Sequence, residues 1–286
     1  MKETTIAFIG RAANFSPNSV GKDTAILAAV RSTLSHKGYR CRDMVWEDRP
    51  TDMGGADVFV SMGRLQDTLN WLGDFERQWQ VVVNPTASVM LCKQRHLLMS
   101  LLENTEVNIP PHIGSHGYWV KRADTWAQTP ADIQYAADRE AADALCLQME
   151  ERGVLTVDVR AHVVGDVVKF YAVSGTDFFR YYYPGDDGDW KFGDEARNGR
   201  PHHYPFDADR LHAMVQRAAD LTMLDVYGGD CIIQPDGQPV LIDLNDWPSF
   251  SRCREDAAQA IATRIEQRIE ETDGNKPIWS YRGVSF

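Results

Sequence analysis

Gly229-Asp230-Cys231-Ile232-Ile233-Gln234, then Pro235-Asp236-Gly237, then Gln238-Pro239-Val240-Leu241-Ile242-Asp243-Leu244-Asn245: two apolar, β-branched runs flank an Asp-Gly pair. This pattern predicts a β-hairpin. The midpoint between Asp230 and Asp243 falls between Asp236 and Gly237, so folding back sets the two carboxylates opposite each other. Side chains alternate faces along a strand, which puts Asp243 and Asn245 on one face. Two carboxylates and an amide oxygen then converge. Hard oxygen donors of this kind suit Mg²⁺, usually with nucleotide phosphates completing the shell. A carboxylate directly after Val240-Leu241-Ile242 needs such a cation or a basic partner, because burying it alone is costly.

Composition narrows the field. The chain has 286 residues, 30 Lys and Arg against 41 Asp and Glu, and a net charge of −11. That balance argues against nucleic acid or an anionic membrane as the main partner. The cysteines Cys41, Cys92, Cys146, Cys231 and Cys253 form no CxxC pair, and their number is odd. Reduced thiols and a cytoplasmic location are expected. The N-terminal stretch runs directly into Thr5-Ile6-Ala7-Phe8-Ile9 with no apolar leader, and no run of about twenty apolar residues predicts a membrane helix.

Outward from the hairpin, the N-terminal part reads as α/β. Strands are expected at Ile6–Ile9, Asp57–Ser61 and Gln80–Val83, with helices over Thr24–His36 and Leu65–Arg77 between them, which implies a parallel sheet. Asn84-Pro85 marks a boundary. A helix over Ser88–Leu102, a strand at Tyr118–Lys121, a short run at Ile133–Tyr135 and a helix from Asp138 to Leu145 follow. A further unit is expected from Cys146, with a hairpin turning at Gly165-Asp166. Ser174–Pro205 reads as a long polar and aromatic loop with some strand. Asp207 is expected to cap a helix to Met223, and a last helix covers Asp256–Glu271.

Asp243-Leu244-Asn245-Asp246-Trp247-Pro248, preceded by Gly229-Asp230, resembles the metal-binding end of the ATP-grasp superfamily. Asp158-Val159-Arg160-Ala161-His162-Val163-Val164-Gly165-Asp166 is similar to a strand and turn of ribosomal-protein glutamate ligases and inositol trisphosphate kinases. The resemblance implies an α/β fold of mixed α+β lobes: residues 1–84 as a Rossmann-like domain of the kind preceding the grasp in D-alanine–D-alanine ligases, 85–145 as the N-terminal lobe, and 146–286 as the C-terminal lobe. It implies that ATP binds with Mg²⁺ on Asp230, Asp243 and Asn245. Lys93 resembles the first nucleotide lysine, and Lys121 the second. Arg160 resembles the basic residue that reaches phosphate, and with Lys121 it would stabilise the transferring group. Gln148, Met149 and Glu150 resemble the hinge that reads adenine and ribose.

Two departures stand out. Arg122–Ala127 lacks the glycines that usually cover the phosphates, and Pro248 is followed by Ser249 where the family has glycine. Other motifs carry less. Ser19–Thr24 lacks the leading glycine of a P-loop. His112 and His116 flank Gly114 in a Pro-rich stretch, which does not suit zinc. Arg180 suits a substrate carboxylate, and the acceptor is expected near Asn14–Lys22, Arg180 and Arg197–His203.

The implied activity is an ADP-forming ligase joining a small carboxylate to an amine or thiol through an acyl phosphate. The sequence leaves two rivals: a small-molecule kinase of the inositol polyphosphate type and a non-catalytic nucleotide-binding module. Partners are expected to be small molecules, with neither nucleic acid nor membrane. The oligomeric state is left open, a homodimer being a common form among similar enzymes.

Overall fold

A computed structural model describes residues 4–15, 19–47, 55–127, 129–187 and 197–273. In chain order the first elements are β1 (Thr5–Gly10), α1 (Val20–His36), β2 (Arg40–Cys41), β3 (Val45–Trp46), β4 (Val58–Ser61), α2 (Gln66–Glu76) and β5 (Val81–Val83). Next come α3 (Thr86–Lys93), α4 (Arg95–Leu102), β6 (Tyr118–Arg122), β7 (Ile133–Ala136), α5 (Arg139–Glu151), β8 (Val157–Ala161), β9 (Asp166–Val173) and β10 (Phe179–Tyr182). The chain ends through α6 (Pro184–Asp187), α7 (Ala208–Thr222), β11 (Val226–Ile233), β12 (Pro239–Asp246) and α8 (Arg254–Asp273).

These elements form two compact units. One comprises Met1–Thr86, Gly175–Phe178 and Ser249–Phe286; the other comprises Ala87–Ser174 and Phe179–Pro248. The first holds a parallel sheet in the order β2-β1-β4-β5, with β3 also beside β1. β1, β4 and β5 are buried along their length, as strands covered on both faces must be. Helix α8 belongs to this unit, whereas the sequence reading put everything from 146 to 286 in one lobe. The reason is packing. Ala257, Ala258, Ile261 and Ile265 of α8 are buried, and Lys37 at the end of α1 pairs with Glu266 at 2.6 Å.

The second unit contains two antiparallel sheets, β10-β9-β11-β12 and β7-β6-β8. Behind the four-stranded sheet, Leu98 and Leu102 of α4 and Leu211, Val215 and Ala218 of α7 meet Val168, Phe170, Cys231, Ile233 and Leu241. Each fully buried aliphatic side chain of this kind contributes about 1.5–3 kcal/mol. Helix α7 starts as expected, with the Asp207 carboxylate accepting from the N–H groups of Asp209 and Arg210. Behind the three-stranded sheet, Met149 and Ala142 of α5 pack on Tyr118, Val120 and Ala161.

Three expectations are corrected. Val157–Ala161 is not paired with β9 across a hairpin at Gly165-Asp166: β8 pairs with β6 and β9 with β11, so residues 162–165 link two different sheets. The single helix expected over Ser88–Leu102 is two, broken at Gln94. Gln148, Met149 and Glu150 lie inside α5, not in an extended hinge. The Asp138 side chain caps that helix by accepting from Ala141 N–H at 2.8 Å, and the good helix formers after it carry the helix to Glu151.

Candidate active site

The β11–β12 ribbon has the expected register, with Asp230 opposite Asp243 and Gly228 opposite Asn245. The turn closes over three residues: Gln234 N–H donates to Gln238 O at 3.0 Å, and Gly237 takes φ +80°. A left-handed residue there is what such a turn requires. The pairing shifts by one residue between Asp230 and Cys231, because Ile242 is an extra residue on β12. This bulge re-aims the strand. Leu241 and Leu244 both enter the core behind the sheet, while the two residues between them, Ile242 and Asp243, both line one cavity on the other side. The Asn245 Nδ2 donates to Asp243 Oδ2 at 3.0 Å, so the two side chains do share a face.

Across this cavity stand β6 and β8. Alternation along β6 sends Tyr118 and Val120 into the core and Trp119 and Lys121 into the cavity. Lys121 lies opposite Asp158 in the β6–β8 register. Burial and then the neighbouring Arg95 lower the Lys121 ammonium to about 8, against the opposing pull of Asp243, Asp158 and Asp230. Burial pushes the Asp243 carboxyl upward, but Arg95, Lys121 and Asn245 outweigh it and hold it below the ordinary carboxylate range. Asp158 follows the same logic, with Arg95 and Arg160 prevailing over burial.

Arg95 is the residue that sequence reasoning missed. Its Nη1 is 2.8 Å from Asp243 Oδ1, its Nη2 donates to Ile242 O at 2.7 Å, and its Nε donates to Asp158 Oδ2 at 3.1 Å. A signal existed. Positions 95, 98, 99 and 102 form one helical stripe, and Leu98, Met99 and Leu102 are buried. A charge in an apolar stripe has to be paired. Lys169 was missed too: it faces Asp230 in the β9–β11 register, with Nζ 3.8 Å from Asp230 Oδ1.

The other predicted residues fall as follows. Arg160 lines the cavity, but its Nε donates to Asp158 Oδ1 at 2.8 Å, its Nη2 meets Glu103 Oε1 at 2.7 Å and its Nη1 reaches Pro110 O at 3.4 Å. Lys93 ends α3, with Nζ 5.6 Å from the centre of the Trp126 ring, and does not line the cavity. Gln148, Met149 and Glu150 do not line it either; Met149 is in the core behind the sheet. The hinge was expected at Gln148–Glu150; the cavity is lined instead by His162 and Val163, from the link between the two sheets. Arg180 is exposed on β10, with Nη1 donating to the Phe179 carbonyl. In the loop Asn14–Lys22, residues 16–18 lie outside the described residues, as does the chain beyond 273.

The donor set fits a small hard cation: two carboxylates on one cavity wall and, from the same ribbon, an amide hydrogen-bonded to one of them, leaving positions for other oxygen ligands. Among the described residues no group of three or more His, Cys, Asp or Glu side chains could hold a metal by itself. No described helix is long and apolar enough to cross a membrane.

Comparison with known proteins gives a consistent answer at the level of architecture. No family model matches the sequence, and no curated protein matches it. Solved structures do. A RimK domain ATP-grasp protein from Sphaerobacter thermophilus superposes with a TM-score of 0.63 at 15% identity, over 92% of this chain and 100% of that one. The VanG D-Ala:D-Ser ligase from Enterococcus faecalis gives 0.65 at 12% identity, covering 95% and 100%. The D-alanine–D-alanine ligase from Bacillus anthracis gives 0.63 at 9%, covering 96% and 100%. With a parallel sheet in one unit and two antiparallel sheets flanking a cavity in the other, this chain has the ATP-grasp fold.

Proposed function

We propose that the protein is an ADP-forming ligase that uses ATP and Mg²⁺ to join a small carboxylate to an amine or thiol. One observation carries the reading: Asp230, Asp243, Lys121 and Arg95 line the same cavity, with Asn245 hydrogen-bonded to Asp243. The solved structures with this fold support it, among them a D-alanine–D-alanine ligase complexed with ATP. Asp230, Asp243 and Asn245 hold the metal, which when bound neutralises phosphate charge. Lys121, fixed on β6, faces the transferring phosphoryl group with its ammonium. Arg160 acts through Asp158, which it holds in place. Trp119, Ile133, Ile232 and Ile242 line the cavity and would take the base, with the backbone of His162 and Val163 offered to its edge in place of residues 148–150.

The reaction needs no side-chain nucleophile. A substrate carboxylate oxygen attacks the γ-phosphorus and ADP leaves. The amine or thiol then attacks the acyl carbon, phosphate leaves, and the proton lost by the nucleophile passes to the departing phosphate or to water. Catalysis is positioning and electrostatics.

ADP release over a panel of carboxylate and nucleophile pairs tests the proposal. Release should require both partners, and Asp243→Ala with Asn245→Ala should abolish turnover and MgATP binding. Phosphate retained on an acceptor, with no nucleophile needed, would identify a kinase and overturn it.

A further inference from the structure

We propose that Arg95 couples metal loading to phosphate capture, exchanging Asp243 for nucleotide phosphate when the divalent cation binds. The inference rests on the reading of Asp230, Asp243 and Asn245 as metal ligands. It begins from the guanidinium's three contacts. Two are to β12, at Asp243 Oδ1 (2.8 Å) and Ile242 O (2.7 Å), and one is to β8, at Asp158 Oδ2 (3.1 Å). Asp243 Oδ2 is engaged as well, by Asn245 Nδ2 at 3.0 Å. Both oxygens of the central carboxylate therefore already accept a donor, and Oδ1 accepts a cation.

A hard divalent ion takes carboxylate oxygen at about 2.1 Å. At that position it would stand within a few ångströms of Arg95 Nη1, two like charges sharing one oxygen. Either the guanidinium moves or the ion binds weakly. The structure gives Arg95 a way to move. Its Nε contact is to Asp158, on a different strand from the metal ligands, and Asp158 is held in turn by Arg160 Nε at 2.8 Å. With Nε retained as a pivot, Nη1 and Nη2 can leave β12 together. These are the two donors of a planar fork, which matches adjacent phosphate oxygens. The side chain is only 12% exposed, whereas Asp243 remains 34% open toward the cavity. A guanidinium released there stays in the cavity where the phosphates would lie. Arg95 is thus a positioning residue for the metal and a contact residue for polyphosphate.

The signature is opposite effects on two ligands, which a purely structural role would not produce. Mn²⁺ alone, titrated by electron paramagnetic resonance, should bind Arg95→Ala roughly tenfold tighter than the native protein, the scale of one charge-assisted pair. ADP at fixed Mg²⁺, measured by calorimetry, should bind the same variant roughly tenfold more weakly. Arg95→Lys keeps the charge without the fork, so Mn²⁺ affinity should stay near native while ADP affinity falls. If Arg95→Ala does not fold, Arg95→Ala with Asp158→Asn removes the carboxylate charge that has lost one of its two guanidinium partners and should show the same pair of shifts. Unchanged or weaker Mn²⁺ binding in a folded Arg95→Ala protein, with Asp243→Asn still abolishing it, overturns the inference alone. Native Mn²⁺ binding by Asp243→Asn overturns the metal reading and the inference with it.

Discussion

The indole N–H of Trp119 on β6 donates to His162 Nδ1 at the end of β8, 3.0 Å away. A ring nitrogen that accepts carries no proton, so this pairing holds His162 as the neutral imidazole with hydrogen on Nε2. Burial, then Arg197 and His116, likewise hold it below the ordinary histidine range. Trp119→Phe removes the donor. Its expected effect is an upward move of the His162 midpoint toward the ordinary value, read by NMR titration of labelled histidine. A midpoint that stays or falls would contradict the assigned tautomer.

Lys121 sets a pH dependence. With its ammonium lowered to about 8, a large part of the side chain is neutral at pH 8.5. Phosphate binding favours the charged form, so MgATP binding at pH 8.5 should take up a proton. At pH 7 the group is already charged and uptake should be small. Calorimetry in buffers of different ionisation enthalpy measures this directly, and Lys121→Met should abolish it. The same lowered value has a sign for stability: the unfolded chain binds more protons between about pH 8 and 10.5, so Lys121's contribution rises with pH across that window.

Asp158 joins two arginines, with Nε of Arg95 at 3.1 Å and Nε of Arg160 at 2.8 Å. Asp158→Ala leaves both guanidinium groups facing a buried site without it. Breaking a buried pair from one side costs about 3–5 kcal/mol, which urea denaturation should detect. Because its carboxyl is held low in the folded protein, the stabilisation it gives is present above the unfolded carboxylate pKa and is lost as pH falls through the folded one.

Gly165 takes φ +156°, and a Cβ there would run into the Ile233 carbonyl oxygen. Gly165→Ala should therefore cost at least about 1–3 kcal/mol through strain alone. It should also weaken nucleotide binding, since the link from 162 to 165 would have to shift. A melting temperature equal to native would refute the crowding argument.

Legibility tracked distance along the chain. Asp230, Asp243 and Asn245 could be placed together because a short turn fixes their pairing locally, and Lys121 was singled out by its resemblance to a family lysine at the end of an apolar strand. Arg95 could not: its partners stand 63 and 148 positions away. β8 misled for the same reason. A Gly-Asp between two apolar runs looks like a hairpin, yet the ladder partner of β8 is β6, a choice made by the sheets and not by the turn. The hinge misassignment had a different cause. Leu147–Glu150 matched a family pattern, but the capped, alanine-rich segment before it propagates as helix.

The surplus residue in β12 has an evolutionary corollary. Between the turn and the bulge the two strands count by one arithmetic, and beyond it by another. Length changes at Pro235–Gly237 are absorbed before they reach the acidic end of the ribbon. Losing Ile242 would instead remove the bulge, leaving Leu241 and Leu244 toward the core and Asp243 toward the cavity in plain alternation, but without the local bend that sets the angle at which Asp243 meets the cavity. Drift among homologues is thus expected to accumulate at the tip, while the residue count from Leu241 to Asn245 stays constant.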